Sequence, residues 1–510
     1  MDDAGRAPLV RSMQFLDEDA KKAILDAALT VLADVGMVVQ HPEAQELLVK
    51  AGCRVDGDGL ALVPEHLVRR SLASAPAHVT LYDRNGAPAM QLGGHRSYFG
   101  TGSDLLWTSD LETGERRRST LDDVARAARL VDRLPNMDFA MSSAYPSEAD
   151  PHEASLRSFA AMTANTTKPL VAVTENGDDL RRVRDIAAVI RGGEEQLRKR
   201  PYFGVYAEPV SPLQHPYDSV DKILVCARAG APCVYVPAPM TGATAPITTA
   251  GYMTQGTAES LFGLVVHQLC RPGAPFVFGH GHAVLDMQTA QSSYNAVDGY
   301  RIEMGMVEMA KWLDIPNFAN SGTSDSQLVD AQAGLDIAEE TLLMMQAGSN
   351  LNHNAGYLDF GLTGSLESIV ITDEMIALNR RLLGGIEVNE ETLALEVIAS
   401  VGPGGHYLDQ RHTRRHLRTS QWRPTILNRQ GREVWAAQGG LDLRERAQHK
   451  ALDLLGRPES QPLAPALAAS IEALVESFGG GNGGRSAARA LDAVSEGVVT
   501  ASVMAPRADR

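Results

Sequence analysis

Imidazoles, carboxylates and tyrosines recur at the ends of short apolar runs in this 510-residue chain. His280 and His282 follow PFVF in the segment GHGHAV, and His353 stands in LNHNA. Asp104 lies in GTGSD, Glu208 sits just past YFGVY, and Gln327 belongs to GTSDSQ. Tyr145 stands beyond a further run, DFAMSS, while Tyr206 and Tyr357 share their run ends with Glu208 and His353. Two imidazoles spaced by one residue on an extended segment project to the same face, where they can grip a metal or a polar group of a substrate. Ring faces attract diffuse positive charge and a carboxylate adds to it, so a mouth of this composition suits a methylated cation. Each residue also has a plainer reading. Asp104 in a tight turn reads as a cap, and the tyrosines read as closing the top of a core. Glu208 is the sharper signal, because an acid just beyond a buried strand is costly unless it is paired or needed.

Bringing these side chains to one end requires parallel strands. RSYFGT (96–101), DFAMSS (138–143), PLVAV (169–173), YFGVY (202–206), CVYVP (233–237), the PFVF run before Gly279, NFANS (317–321) and LNHNA (351–355) are short, apolar and bounded by Gly, Pro or polar residues. Helical periodicity follows each, best placed at 120–133, 152–165, 178–192, 216–229, 248–271, 292–313, 331–348 and 366–384. Eight such units predict an α/β protein, a TIM (β/α)8 barrel with helical N-terminal and C-terminal extensions, whose chemistry sits at the C-terminal ends of the strands. The expected division is 1–94 for a helical and hairpin extension, 95–385 for the barrel, and 386–478 for a C-terminal extension that carries GPGGH. A tail at 479–510 reads as mobile from the FGGGNGG that opens it. An unusually long first loop, GSDLLWTSDLETGERRRS, is placed to fold over the mouth.

Composition prunes the functions. A net charge of −16 disfavours nucleic acid as a partner. No apolar run approaches the ~20 residues that span a bilayer, and MDDAGRAPLVRSMQF lacks the apolar stretch of a signal peptide, so no membrane association and a cytoplasmic location are expected. Cys53, Cys226, Cys233 and Cys270 have no CxxC spacing and read as buried thiols. GxGxxG after a strand, GxxxxGK[ST] and GxSxG are all absent. In metal-dependent barrel hydrolases an HxH pair lies on the first strand and needs further His and Asp ligands on late strands. Here it follows the sixth run, so a substrate-contacting or hydrogen-bonded pair is expected, with no metal bound directly. The residues leave three readings open: an enzyme on a small molecule, a non-catalytic protein that binds the same molecule, and a metal-dependent hydrolase.

Residues 14–475 resemble the trimethylamine methyltransferase (MttB-like) family of corrinoid-dependent methyltransferases. The likeness is carried by FGTGSDLLWTSDLETGERRRSTLDDVARAARLVDRLPNMDF, KPLVAVTEN, GTSDSQLVDAQAG and GPGGHYLDQRHTRRHLR. The resemblance implies a TIM barrel that moves a methyl group from an amine to the cobalt of a corrinoid (cobalamin) carried by a separate protein, which docks over the mouth. Trimethylamine-specific members carry pyrrolysine near the position of GTSDSQLVDAQAG, with Gln327 as its counterpart here; this chain has only ordinary residues there.

Members without pyrrolysine resemble demethylases of quaternary amines such as glycine betaine. A quaternary nitrogen is already cationic and leaves as a neutral tertiary amine, so no acid, imine adduct or zinc is needed to activate it. On this reading Tyr145, Tyr206 and Tyr357 box the methyl groups and Asp104 or Glu208 balances the nitrogen. His280, His282 or His353 holds a substrate carboxylate or hydroxyl, and Gly404, Gly405, His406 and His412 meet the corrinoid or its carrier. A homo-oligomer is expected.

Overall fold

The structure, a computed structural model, describes residues 13–458 and 461–479. At its centre is a curled parallel sheet of seven strands. In chain order these are β1 (Tyr98–Thr101), β2 (Leu170–Val173), β3 (Phe203–Ala207), β4 (Cys233–Tyr235), β5 (Phe276–Gly279), β6 (Asn317–Asn320) and β7 (Leu351–Ala355). The spatial order is β1-β7-β6-β5-β4-β3-β2, every pairing parallel. Helices lie between and flank the strands: α1 (Leu121–Arg133), α2 (Ala154–Asn165), α3 (Gly177–Arg191), α4 (Tyr217–Ala229), α5 (Thr249–Cys270), α6 (Val297–Trp312), α7 (Ala331–Ala347) and α8 (Leu366–Leu383).

Local chemistry fixes their ends. Thr120 and Asp123 form a reciprocal capping box on α1, and the side chains of Asn176, Asp330 and Ser365 cap α3, α7 and α8. Gly192, Gly230 and Gly348 take the left-handed conformation that closes α3, α4 and α7.

The run expected as a strand at 138–143 appears as two isolated parallel bridges, Gly100 with Phe139 and Ala140 with Leu170. Ladder positions there are shared with a side chain, since Asp138 Oδ2 accepts from the Phe99 amide while the Asp138 amide donates to the Phe99 carbonyl. Ser143, at a φ of 59°, then ends the extended run. The helix expected from 292 begins at Val297, because Ser292 and Ser293 pair with Ala283–Leu285 in a small antiparallel ribbon.

The interior of the sheet is filled by Phe139, Val171, Val234, Val277, Phe318 and Leu351. A hairpin of Val79–Tyr82 and Pro88–Leu92 seals the end where the strands begin, with Leu81 and Met90 in the same buried cluster. The Tyr82 and Arg84 amides donate to the carbonyls of Pro201 and Thr167, which precede β3 and β2. The far end therefore holds the accessible face. There the long first loop forms a ribbon, Trp107–Ser109 with Arg116–Arg118, that joins Thr363–Gly364 and Tyr357–Leu358 in a four-stranded sheet. Arg116 and Arg118 both lie 4.3 Å over the Trp107 ring.

In the N-terminal region the helix Glu18–Thr30 runs into a π-turn that ends at Gly36. After α8 come helices Glu390–Leu393, Leu395–Val401, Arg411–Ser420, Arg432–Ala437, Leu443–Leu455 and Pro465–Gly479. The expected tail lies outside the described residues from 480 onward. No helix among the described residues is long and apolar enough to cross a membrane.

Candidate active site

Glu208 leaves the end of β3 and accepts a hydrogen bond from the Tyr206 hydroxyl at 2.9 Å. Its side chain is exposed although neighbouring elements crowd it, as befits a residue lining an open cleft. That crowding pushes the carboxyl above its usual range, while Tyr206 and Lys222 pull the other way. Lys222, buried on α4, donates to the Thr174 carbonyl at 2.8 Å and is itself pushed down by burial. Burial, then the adjacent Glu208, holds the Tyr206 hydroxyl well above its ordinary value, so it stays a neutral donor.

Asp104 follows β1 in a left-handed turn with a φ of 59°. Its carboxylate and amide both meet the Ser142 hydroxyl, at 2.9 and 3.0 Å. It too is exposed at a crowded position, and desolvation raises its pKa. Tyr145 is half-buried; its hydroxyl is raised by desolvation, then by Glu175 and Asp104. Tyr357 is buried, and its hydroxyl donates to the Ser103 carbonyl at 2.6 Å and accepts from the Ser103 amide at 2.8 Å. Its ring lies flush on Gly102, where a Cβ would come within 2.0 Å of it. Tyr357 therefore anchors the first loop as well as walling the cleft.

His353 on β7 stacks on Phe318 at 4.1 Å between centroids and lies 6.5 Å from Tyr206. Burial lowers its pKa to about 3, so the ring is neutral, and neither ring nitrogen has a hydrogen-bond partner among the described residues. An unpartnered imidazole this deep is a group waiting for something to bond.

His280 and His282 lie lower, each 1% exposed, and both face Glu303 of α6. His280 Nε2 and His282 Nδ1 stand 2.5 Å from its two carboxylate oxygens. Burial alone would raise Glu303, but the two imidazoles outweigh it and hold the carboxyl near 2; in return His282 is raised despite its burial. Asn320 Nδ2 donates to Glu303 at 2.9 Å, and Asn354 Nδ2 to Asn320 Oδ1 at 2.8 Å. Glu340 of α7 accepts from the amide and hydroxyl of Thr323 at 2.8 and 2.9 Å, and burial lifts its carboxyl to about 7. The histidine pair is thus a sealed ionic layer under the cleft. Among the described residues no group of three His, Cys, Asp or Glu side chains is arranged to hold a metal ion.

The structure brings Tyr206, Glu208 and His353 together, with Asp104 linked to Tyr357 through adjoining Ser103. It leaves others apart. Gln327 is exposed, its amide donating to the Asp325 carbonyl at 3.3 Å. Gly404, Gly405, His406 and His412 belong to an exposed segment whose contacts are with itself: His406 with Asp409, and His412 with the Glu391 carbonyl. Sequence reasoning missed Glu303, Glu340 and Tyr294. Tyr294 is half-buried in the loop before α6, and burial, then Glu208 and Asp325, raises its hydroxyl to about 12. Asp325 ties this loop down by accepting from the Ser293 hydroxyl and the Tyr294 amide.

A parallel α/β sheet whose strand ends gather rings and carboxylates in an open cleft is the layout of a small-molecule site. The family model for trimethylamine methyltransferase (MTTB) matches residues 6–477, and the chain belongs to that family, a family of methyltransferases. It is 33% identical over 466 residues to the trimethylamine methyltransferase MttB of Desulfitobacterium hafniense, covering 91% of this chain and 93% of the relative. With the glycine betaine methyltransferase of the same species (strain Y51) it shares 27% identity over 475 residues, 92% of this chain and 98% of the other. The crystal structure of the Methanosarcina barkeri monomethylamine methyltransferase has a TM-score of 0.48 and 12% identity, over 86% of this chain and 92% of that one.

Proposed function

We propose that the protein transfers a methyl group from a quaternary amine, glycine betaine or a close analogue, to the Co(I) of a corrinoid carried by a partner protein. The observation that carries this reading is the pairing of Tyr206 with the solvent-open Glu208 at 2.9 Å, with Tyr294 near enough to Glu208 to feel its charge. Ring and carboxylate together attract a trimethylammonium group without offering it a proton or a nucleophile. The acceptor supplies the electron pair for the new bond to carbon, and the pair of the broken C–N bond stays on nitrogen, releasing a neutral tertiary amine.

What the chain contributes is position and charge. Asp104 and Glu208 are exposed, leaving the methyl group within reach of an acceptor that arrives on another protein. With His280 Nε2 and both nitrogens of His282 already paired, His353 is the one of the three imidazoles with both ring nitrogens left to bond a substrate carboxylate or hydroxyl. Tyr357 holds the first loop in place, and the buried Glu303 layer fixes the floor. The two bridges at 139–140 support reading the sheet as closed there, a (β/α)8 barrel over 95–385 with extensions at both ends.

A panel of betaines, incubated with reduced cob(I)alamin, tests the proposal through the appearance of methylated corrinoid and tertiary amine. Tight betaine binding without transfer would instead favour the non-catalytic reading. Stoichiometric metal in the purified protein, with activity lost to chelators, would favour the hydrolase.

A further inference from the structure

Beside the hairpin that seals the start of the sheet lies an open cavity of about 270 Å³, at the opposite end of the strands from the cleft. Arg198, from the short helix Glu194–Lys199, and Arg271, directly after α5, both border it, with His78 and Thr80 on the hairpin side. The two arginines converge on Gly230, where a Cβ would stand 3.4 Å from Arg198 Cγ and 3.4 Å from Arg271 Nη1. Arg271 is aimed by its Nη1, which donates to the Arg228 carbonyl at 2.9 Å.

Charge in this corner is unbalanced. The neighbouring Arg184 and Arg228 pair with Glu194 and Glu43, whereas neither Arg198 nor Arg271 has a carboxylate partner among the described residues. No carboxylate borders the cavity either. In a chain of net charge −16, two guanidinium groups turned toward one space without an acid are out of keeping with the rest of the surface. The walls offer little that would repel an anion. Pro201, Pro232 and Pro275 lead into β3, β4 and β5, and their carbonyls are taken up by the amides of Tyr82, Val205 and Cys233 at 2.9, 2.9 and 3.1 Å. What remains for a ligand is guanidinium N–H groups and the Thr80 hydroxyl, over apolar proline rings.

The geometry points to a binding site for a phosphate group in this cavity, carried free or on a small organic molecule. Two features choose phosphate. Its dianion matches the two unpaired cations, where a carboxylate would answer only one, and its oxygens suit the planar fork of arginine. The volume is close to the roughly 300 Å³ at which small-molecule sites begin, so a short organic group has room to lie on the proline rings. A ligand here would hold together the entries to β3, β4 and β5, away from the side chains of the cleft. The inference uses neither the methyl donor nor its acceptor, so it stands or falls apart from the proposed function.

The test is isothermal titration calorimetry of the full-length protein at fixed ionic strength, with inorganic phosphate and glycerol 3-phosphate as separate probes. Saturable binding of one equivalent is expected, unchanged when glycine betaine is present. Tighter binding of glycerol 3-phosphate assigns the site to a phosphate ester, and equal or tighter binding of inorganic phosphate assigns it to the free ion. Arg198→Gln and Arg271→Gln are each expected to weaken the better probe by about tenfold or more. Both side chains are exposed, so the melting profile without ligand should stay that of the parent. Absence of saturable binding by either probe, affinity unchanged in both variants, or displacement of the probe by glycine betaine would overturn the inference.

Discussion

At Tyr206 the ring and the hydroxyl have separate contacts: the ring lies 5.9 Å from Phe318 and 6.5 Å from His353, and the hydroxyl fixes Glu208. Glu208→Gln keeps an acceptor for that hydroxyl but removes the charge, and Tyr206→Ala removes the ring. A cation–π contact is worth about 0.5–2 kcal/mol, and about 1.4 kcal/mol is a tenfold rate change. Steady-state kinetics should therefore show kcat/KM for a betaine lowered by roughly tenfold or more in each variant, with the melting profile retained; indifference of both would remove these residues from the site.

Glu340 makes a pH-dependent prediction. Its folded pKa, about 7, lies above the ordinary carboxylate value, so the folded state holds the proton more tightly and loses stability as pH rises from about 4.5 to 7. Glu340→Gln keeps an acceptor for Thr323 and removes that loss. Denaturant titrations should find the variant gaining on the parent between pH 5 and pH 8, by of order 3 kcal/mol, and a pH-independent difference would contradict the assignment. Glu208 and Asp104 were legible because they follow strands. Glu303 and Glu340 were not legible in that way, because they lie inside helices instead of at strand ends. The signal was there: Glu340 falls on the apolar stripe of Ile337, Thr341 and Met344, where a charge has to find a partner.

Among the elements, β-runs with unbroken apolar residues and Pro or Gly boundaries were readable, and seven of them are strands. The eighth, at 138–143, looks the same on paper. It differs because Asp138 spends its side chain on the Phe99 amide, a contact no sequence periodicity encodes. Its docking also depends on Gly100, where a Cβ would stand 2.5 Å from the Phe139 ring. Gly100→Ala forces that ring away and should cost about 1–3 kcal/mol by denaturant unfolding; an unchanged midpoint would mean the contact between β1 and 138–141 is loose. The small ribbons over the mouth were harder to foresee, since pieces of two or three residues paired across distant loops leave no local pattern.

Across the whole molecule, a buried sheet interior and a sealed ionic floor support one open face, and the side chains on that face suit a methylated cation better than an anion. The net charge of −16 is in keeping with this preference. The family was legible from segments spread over nearly the whole chain; the substrate was not, because it rests on how a few rings and carboxylates converge. The most direct measurement is methyl transfer to cob(I)alamin by the purified protein, with glycine betaine and trimethylamine offered in parallel. The account predicts methylated corrinoid and dimethylglycine from the betaine and little turnover of trimethylamine, whose positive charge rests on a removable proton instead of a fourth carbon and which finds no pyrrolysine here. Efficient turnover of trimethylamine, or no transfer from any quaternary amine, would contradict it.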